Sequence, residues 1–163
     1  MRFELTDAFD APVEAILACY VDPDFYGNLE GLPNIGTPQV VGHTRDGSTV
    51  TMRVHYRFTR VLSAGVRAAV DPAKLSWVEE TVWDLDAGVG RSHLLPDNYA
   101  DRFSASATRT HSPTESGGCA RAIAGEVKVR MPLVGGKVEA AVVEGLEEYL
   151  AAEAAVVQRL TTT

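Results

Sequence analysis

The chain has 163 residues, with 15 Lys and Arg against 22 Asp and Glu for a net charge of −7, and 45% of it is hydrophobic. That length supports one hydrophobic core without metal or disulfide staples, so residues 1–163 are expected to form one domain. The basic residues are scattered rather than clustered, which argues against nucleic acid and anionic membrane surfaces as partners, since both need concentrated positive charge.

Residues 2–9 alternate, with Phe3, Leu5 and Asp7 on one face, and read as a first strand. The period then changes. Asp10-Ala11-Pro12 signals a helix start, and Val13, Ile16, Leu17 and Tyr20 follow at helical spacing. Asp22-Pro23-Asp24 restarts a second short helical segment carrying Phe25, Tyr26 and Leu29. Thr37 to Thr59 reads as a hairpin around Asp46-Gly47, a favoured type I′ pair, and a two-residue turn there sets Val41 beside Met52 and His43 beside Val50. Its second arm divides cleanly, with Val50, Met52, Val54, Tyr56 and Phe58 on one face and polar residues on the other, so one face belongs in a core.

Residues 60–74 read only as a connection with helical or strand character. Leu75 to Leu85 is the next strand, with Leu75, Trp77, Glu79, Thr81 and Trp83 on one face, and Val89 to Leu95 follows the turn Asp86-Ala87-Gly88. Asp101 to His111 and Cys119 to Met131 form a second hairpin, with Ile123, Val127, Val129 and Met131 inward. From Gly135 to about Leu160 the pattern is helical without a break. Val134, Val138, Val142, Leu146, Tyr149, Leu150, Val156, Val157 and Leu160 fall in one arc of a helix about 40 Å long, enough to lie across a whole sheet. Gly145 lies on that arc and is expected to face the sheet or a cavity, where Ala would be tolerated. Ala105, Ala107, Ala120, Ala122 and Ala124 are expected to leave room between sheet and helix.

This element order, with Asp22-Pro23-Asp24-Phe25-Tyr26 after the first helix and Pro132-Leu133-Val134-Gly135-Gly136-Lys137-Val138-Glu139 opening the last, resembles the START-like (Bet v 1-like, SRPBCC) superfamily. Within it the chain is most similar to a group of small actinobacterial proteins of unknown function, the DUF2505 family. The resemblance implies an α+β helix-grip fold: a curved antiparallel sheet of about seven strands around a long C-terminal helix, two short helices after the first strand, and a hydrophobic cavity between sheet and helix. Members of the superfamily bind lipids, sterols, polyketides or plant hormones, and some are cyclases or co-chaperone-like. The fold alone does not choose among these.

Few residues advertise chemistry. The sequence has no GxSxG, P-loop or GxGxxG signature and no pair of histidines at metal-ligand spacing, so neither a metal nor a cofactor is expected. Cys19 and Cys119 stand alone and read as buried thiols. His55 falls on a polar face, whereas the proposed register turns His43 inward. Glu79 between the tryptophans and Glu153 within the helical arc break apolar patterns; a buried carboxyl would be a general acid, while a paired or solvated one would be structural. The expected cavity liners are Met52, Val54, Tyr56, Trp77, Trp83, Phe103, Val127, Val142, Leu146 and Tyr149. The reading that follows is binding of a small hydrophobic or amphipathic molecule, such as a lipid or polyketide, for transport or sequestration. Its rivals are a polyketide cyclase or dehydratase using His43, Glu79 or a cavity Tyr to move protons on a bound ketone, and a protein-binding module of the co-chaperone type. The opening residues have no apolar signal core and no apolar run nears the ~18 residues of a membrane span, so a cytoplasmic location is expected.

Overall fold

The computed structural model describes residues 1–162. Seven strands, β1 (Arg2–Phe9), β2 (Gln39–Asp46), β3 (Thr49–Arg57), β4 (Ser76–Asp84), β5 (Val89–Pro96), β6 (Phe103–Pro113) and β7 (Cys119–Val129), form one sheet in the order β1-β7-β6-β5-β4-β3-β2. All neighbours are antiparallel. Strands β2 to β7 lie side by side in chain order, and β1 closes the far side by pairing with β7 from the opposite end of the chain. Helix α1 (Val13–Tyr20) and a 3-10 segment over Pro23–Leu29 follow β1; the long helix α3 (Gly135–Thr161) packs on β7, β1 and α1. This is an α+β helix-grip fold.

Local chemistry places these elements. Pro12 stands at the N-cap of α1, and Ile16, Leu17 and Tyr20 form its buried side. The Asp22 carboxylate accepts the backbone N–H of Asp24 at 2.9 Å and starts the 3-10 segment, which buries Phe25, Tyr26 and Leu29. β3 alternates buried and solvent-facing residues, and its register with β4 sets Val50 against Trp83, Met52 against Thr81, Val54 against Glu79 and Tyr56 against Trp77. The inward faces of two strands are thereby fixed together.

The β2–β3 hairpin differs from its expected frame. Asp46 pairs with Thr49 and the chain turns at Gly47-Ser48, so His43 lies opposite Met52 and Arg45 opposite Val50. Only Gly47 takes a positive φ, +58°. A turn with Gly at the first central position needs no left-handed second residue, so Asp46 stays in the ladder. The register then shifts at a bulge between Val40 and Gly42, which leaves Val41 outside the pairing and 57% exposed.

Residues 60–74, read as an unassigned connection, contain a short helix α2 (Ala64–Arg67) capped by Ser63 and a 3-10 turn over Pro72–Lys74 capped by Asp71. Leu62, Val66 and Val70 bury this segment against the core. On the late hairpin, Ala105 and Ala107 face inward, but Ala122 and Ala124 are exposed on the outer face. They have the opposite parity to Ile123 and Val127, which are buried.

Gly145 faces the sheet side, but no empty space meets it. A Cβ there would stand 2.8 Å from Phe58 Cε2 and 3.0 Å from its Cζ. Phe58 is itself buried, so its ring has little room to yield. Overpacking of about 1–3 kcal/mol should outweigh the ~1 kcal/mol gain in helix propensity. Gly145→Ala is therefore expected to lower stability by about 1 kcal/mol and Tm by a few degrees. A melting curve that stays put or rises would show that the Phe58 ring moves aside.

Candidate functional site

The inward face of the sheet and α3 do not meet everywhere. Between them lies a hollow of two adjacent lobes, with cavity volumes of about 40 Å³ and 50 Å³. Trp77, Leu94, Ala105, Val127 and Leu146 line both lobes. The outer lobe is walled by Phe58, Leu75, Phe103 and Val142, and reaches the surface beside Lys74, Asn98 and Ser104. The inner lobe is lined by Tyr56, Tyr149, Leu150 and Ile123, and also by Glu79, Ser92, Arg109 and Glu153. Beyond it a space of about 10 Å³ is enclosed by Tyr20, Tyr26, Val54, Tyr56, Glu79, Thr81, Trp83, Arg109 and Glu153. The hollow thus runs from an apolar mouth to a polar end.

Two ion pairs, one part-buried and one fully buried, build that end. Glu79 on β4 accepts from Arg109 Nη1 at 2.8 Å, and the same nitrogen donates to Ser92 Oγ at 2.6 Å. Glu153 on α3 accepts from Arg121 Nη1 and from the Tyr20 hydroxyl, both at 2.9 Å, while Arg121 also donates to Asp7 Oδ2 at 2.6 Å and to the Tyr20 hydroxyl. Arg121 has no solvent exposure at its side chain. Burial alone would raise the Glu79 pKa, but the Arg109 charge and hydrogen bonds from Arg109 and Thr81 outweigh it and hold the carboxyl below its ordinary range. Burial pushes the Tyr20, Tyr26, Tyr56 and Tyr149 hydroxyls well above the usual phenol range, so all four keep their protons.

His111 packs its ring against Tyr20 and Trp83, with centroids 5.8 Å and 5.7 Å away, and its Nδ1 lies 3.2 Å from the Gly88 carbonyl. Burial pushes its pKa down to about 4. The Trp77 indole N–H, the Arg109 Nε–H and the Tyr149 hydroxyl are buried without a hydrogen-bond partner. A side-chain interaction with Tyr56 tempers the rise in the Tyr149 pKa, but the Tyr149 hydroxyl makes no hydrogen bond of ordinary geometry.

Of the residues expected to line a cavity, Tyr56, Trp77, Phe103, Val127, Val142, Leu146 and Tyr149 line the two lobes. Val54 and Trp83 line the innermost space. Met52 is 1% exposed and packed within the core, and it lines none of these spaces. His43 shares the inward side with Met52, but it sits on the outermost strand and is exposed, so it is not placed in the hollow. Glu79 is in the hollow as an ionised partner of Arg109 and not as a protonated acid. Glu153 is buried and paired with Arg121. His55 bonds Asp97 at 2.7 Å, Cys119 is buried, and Cys19 is half-buried. Sequence reasoning passed over Arg109, His111 and Arg121. Strand parity could have found them, because Arg109 alternates with Ala105 and Ala107, and Arg121 with Ile123. Among the described residues, no group of three or more His, Cys, Asp or Glu is placed to hold a metal ion, and no helix is long and apolar enough to cross a membrane.

A curved seven-stranded sheet around one long C-terminal helix, with the site between them, is the START-like, Bet v 1-like fold. Solved structures with this fold include TTHA0849 from Thermus thermophilus, 18% identical with a TM-score of 0.71, the match covering 99% of this chain and 100% of that one. Zhui aromatase/cyclase from Streptomyces sp. R1128 is 13% identical with a TM-score of 0.67, covering 99% and 93%. Norcoclaurine synthase from Thalictrum flavum is 17% identical with a TM-score of 0.64, covering 98% and 85%. No curated protein sequence matches significantly. Residues 4–160 match the family described as "Protein of unknown function (DUF2505)", and the chain belongs to that family.

Proposed function

We propose that this protein binds a small hydrophobic or amphipathic molecule, such as a lipid or polyketide, in the hollow between the sheet and α3, for transport or sequestration. The observation that carries the reading is a pair of adjacent lobes with common walls, one apolar and one polar-ended. An apolar outer lobe opens beside Lys74 and Asn98 and shares Trp77, Leu94, Ala105, Val127 and Leu146 with an inner lobe that includes Glu79, Arg109 and Glu153. A largely apolar cleft with a few converging polar groups is the usual form of a small-molecule site. The ionisation of Glu79 favours binding over cyclase-type catalysis, because a carboxylate held by Arg109 has no proton to donate to a ligand ketone.

Ala105 lines both lobes and is therefore the position at which to close them. Ala105→Phe is expected to weaken binding of an apolar fluorescent probe such as ANS by roughly tenfold or more, because the ring occupies the shared wall. Val142→Ala opens the outer lobe and is expected to raise probe capacity. Probe titrations on both variants, each verified by thermal melting, test this. Unchanged binding by a folded Ala105→Phe variant would place the site elsewhere.

A further inference from the structure

The polar atoms of the inner lobe that lack a partner can all donate. Trp77 Nε1, Arg109 Nε and the Tyr149 hydroxyl are buried without partners, and all three side chains line the same lobe. Their residues are 8%, 9% and 4% exposed. Trp77 and Tyr149 flank Tyr56, with ring centroids 6.0 Å and 6.2 Å from its own. An indole N–H and a guanidinium N–H donate only, and the Tyr149 phenol is held protonated. What enters must bring acceptor oxygen.

Charge narrows the choice further. Glu79 already neutralises Arg109 at 2.8 Å, and Arg121 is shared between Glu153 at 2.9 Å and Asp7 at 2.6 Å. Three carboxylates thus face two guanidinium groups. A ligand carboxylate would add a further negative charge to an interior that already has an excess of it, and no buried cation remains to take it.

We infer that the molecule taken by this hollow is a neutral carbonyl compound with an apolar body, its oxygen accepting hydrogen bonds at the inner lobe from Tyr149 and its neighbouring donors, and that carboxylates are rejected. The inference rests on the binding reading above. The apolar body enters the outer lobe among Phe103, Val142 and Leu146, which at about 40 Å³ must widen toward its mouth to take a fused ring. The carbonyl supplies the acceptor that these buried donors lack, which removes the cost of leaving them unsatisfied.

Three probes of one shape separate the alternatives: a naphthyl methyl ketone, the naphthoate and the ethylnaphthalene substituted at the same ring position, titrated calorimetrically at neutral pH. The ketone is expected to bind about tenfold tighter than ethylnaphthalene, the worth of a buried hydrogen bond, and tighter still than naphthoate. Tyr149→Phe should lower ketone affinity about five- to tenfold, leave ethylnaphthalene affinity unchanged, and leave Tm unchanged because no protein partner is lost. Trp77→Phe provides a second donor deletion should the first variant fold poorly. Naphthoate binding as tightly as the ketone, or a ketone no tighter than ethylnaphthalene, overturns the inference while leaving the binding reading intact. If none of the three probes binds, the binding reading itself fails and the inference with it.

Discussion

Arg121→Met is expected to cost about 3–5 kcal/mol of folding stability, a large share of what a domain of this size has. The guanidinium has no exposed surface, and it is what compensates Glu153, a residue only 3% exposed on the side of α3 turned to the core. Met fills much of the same volume, so the loss comes from charge and not from a cavity. Glu153 would retain the Tyr20 hydroxyl as a donor at 2.9 Å but no cation. The decisive comparison is with Arg121→Met combined with Glu153→Leu. Removing both charges together should recover most of the loss, because a buried pair replaced by apolar residues is often neutral or stabilising. Urea denaturation of the two variants with equal m-values measures this. Equal destabilisation of both would mean that packing around Arg121, and not the uncompensated carboxylate, dominates.

His111 should make stability fall on mild acidification. Its folded pKa is lowered to about 4 from 6.5, first by burial and then by the nearby Arg121 and Arg109 charges, against the opposing effect of the Gly88 carbonyl. Between those two values the unfolded chain binds the proton and the folded chain does not, so stability rises with pH through that window. The contribution is fully present above pH 6.5 and is lost as pH falls to about 4. Its size is up to about 3 kcal/mol. The Glu79 contribution has the same sign but begins lower, since its folded pKa lies below the ordinary carboxylate value. Comparing wild type with His111→Gln by denaturation across the window isolates the histidine: the variant should lose much of the slope. An unchanged slope would show that His111 accepts a proton where it stands.

The parts of this fold legible in the sequence are those where one period runs long enough to exclude the other. Helix α3 holds its helical spacing through 27 residues, and β3 alternates without a fault from Val50 to Tyr56. The hairpin frame was harder, because an Asp-Gly pair satisfies two turns: both residues can form the centre, or Gly47 can open it with Asp46 still paired. Nothing local to the turn decides between them.

The apolar wall of the site was readable from strand and helix faces, as with Tyr56, Trp77, Leu146 and Tyr149. The polar end was only half readable. Glu79 and Glu153 stand out against apolar neighbours, but the arginines that hold them stand among Ala, Ser and Thr, where a basic residue looks solvent-facing. Each pair also joins elements distant in sequence, β4 with β6 and β7 with α3, so neither partner announces the other.

The bulge at Val41 bears on how the protein meets its own kind. β2 is the last strand of the sheet, and its outer backbone edge is where a strand of another chain could add. There the ladder is broken between Val40 and Gly42, and His43, Thr44, Arg45 and Asp46 are all exposed beyond the break. An arriving strand would find donors and acceptors out of step and would have to crowd against two charged side chains. Edge-to-edge polymerisation is thereby opposed on this side by one skipped residue and a polar run.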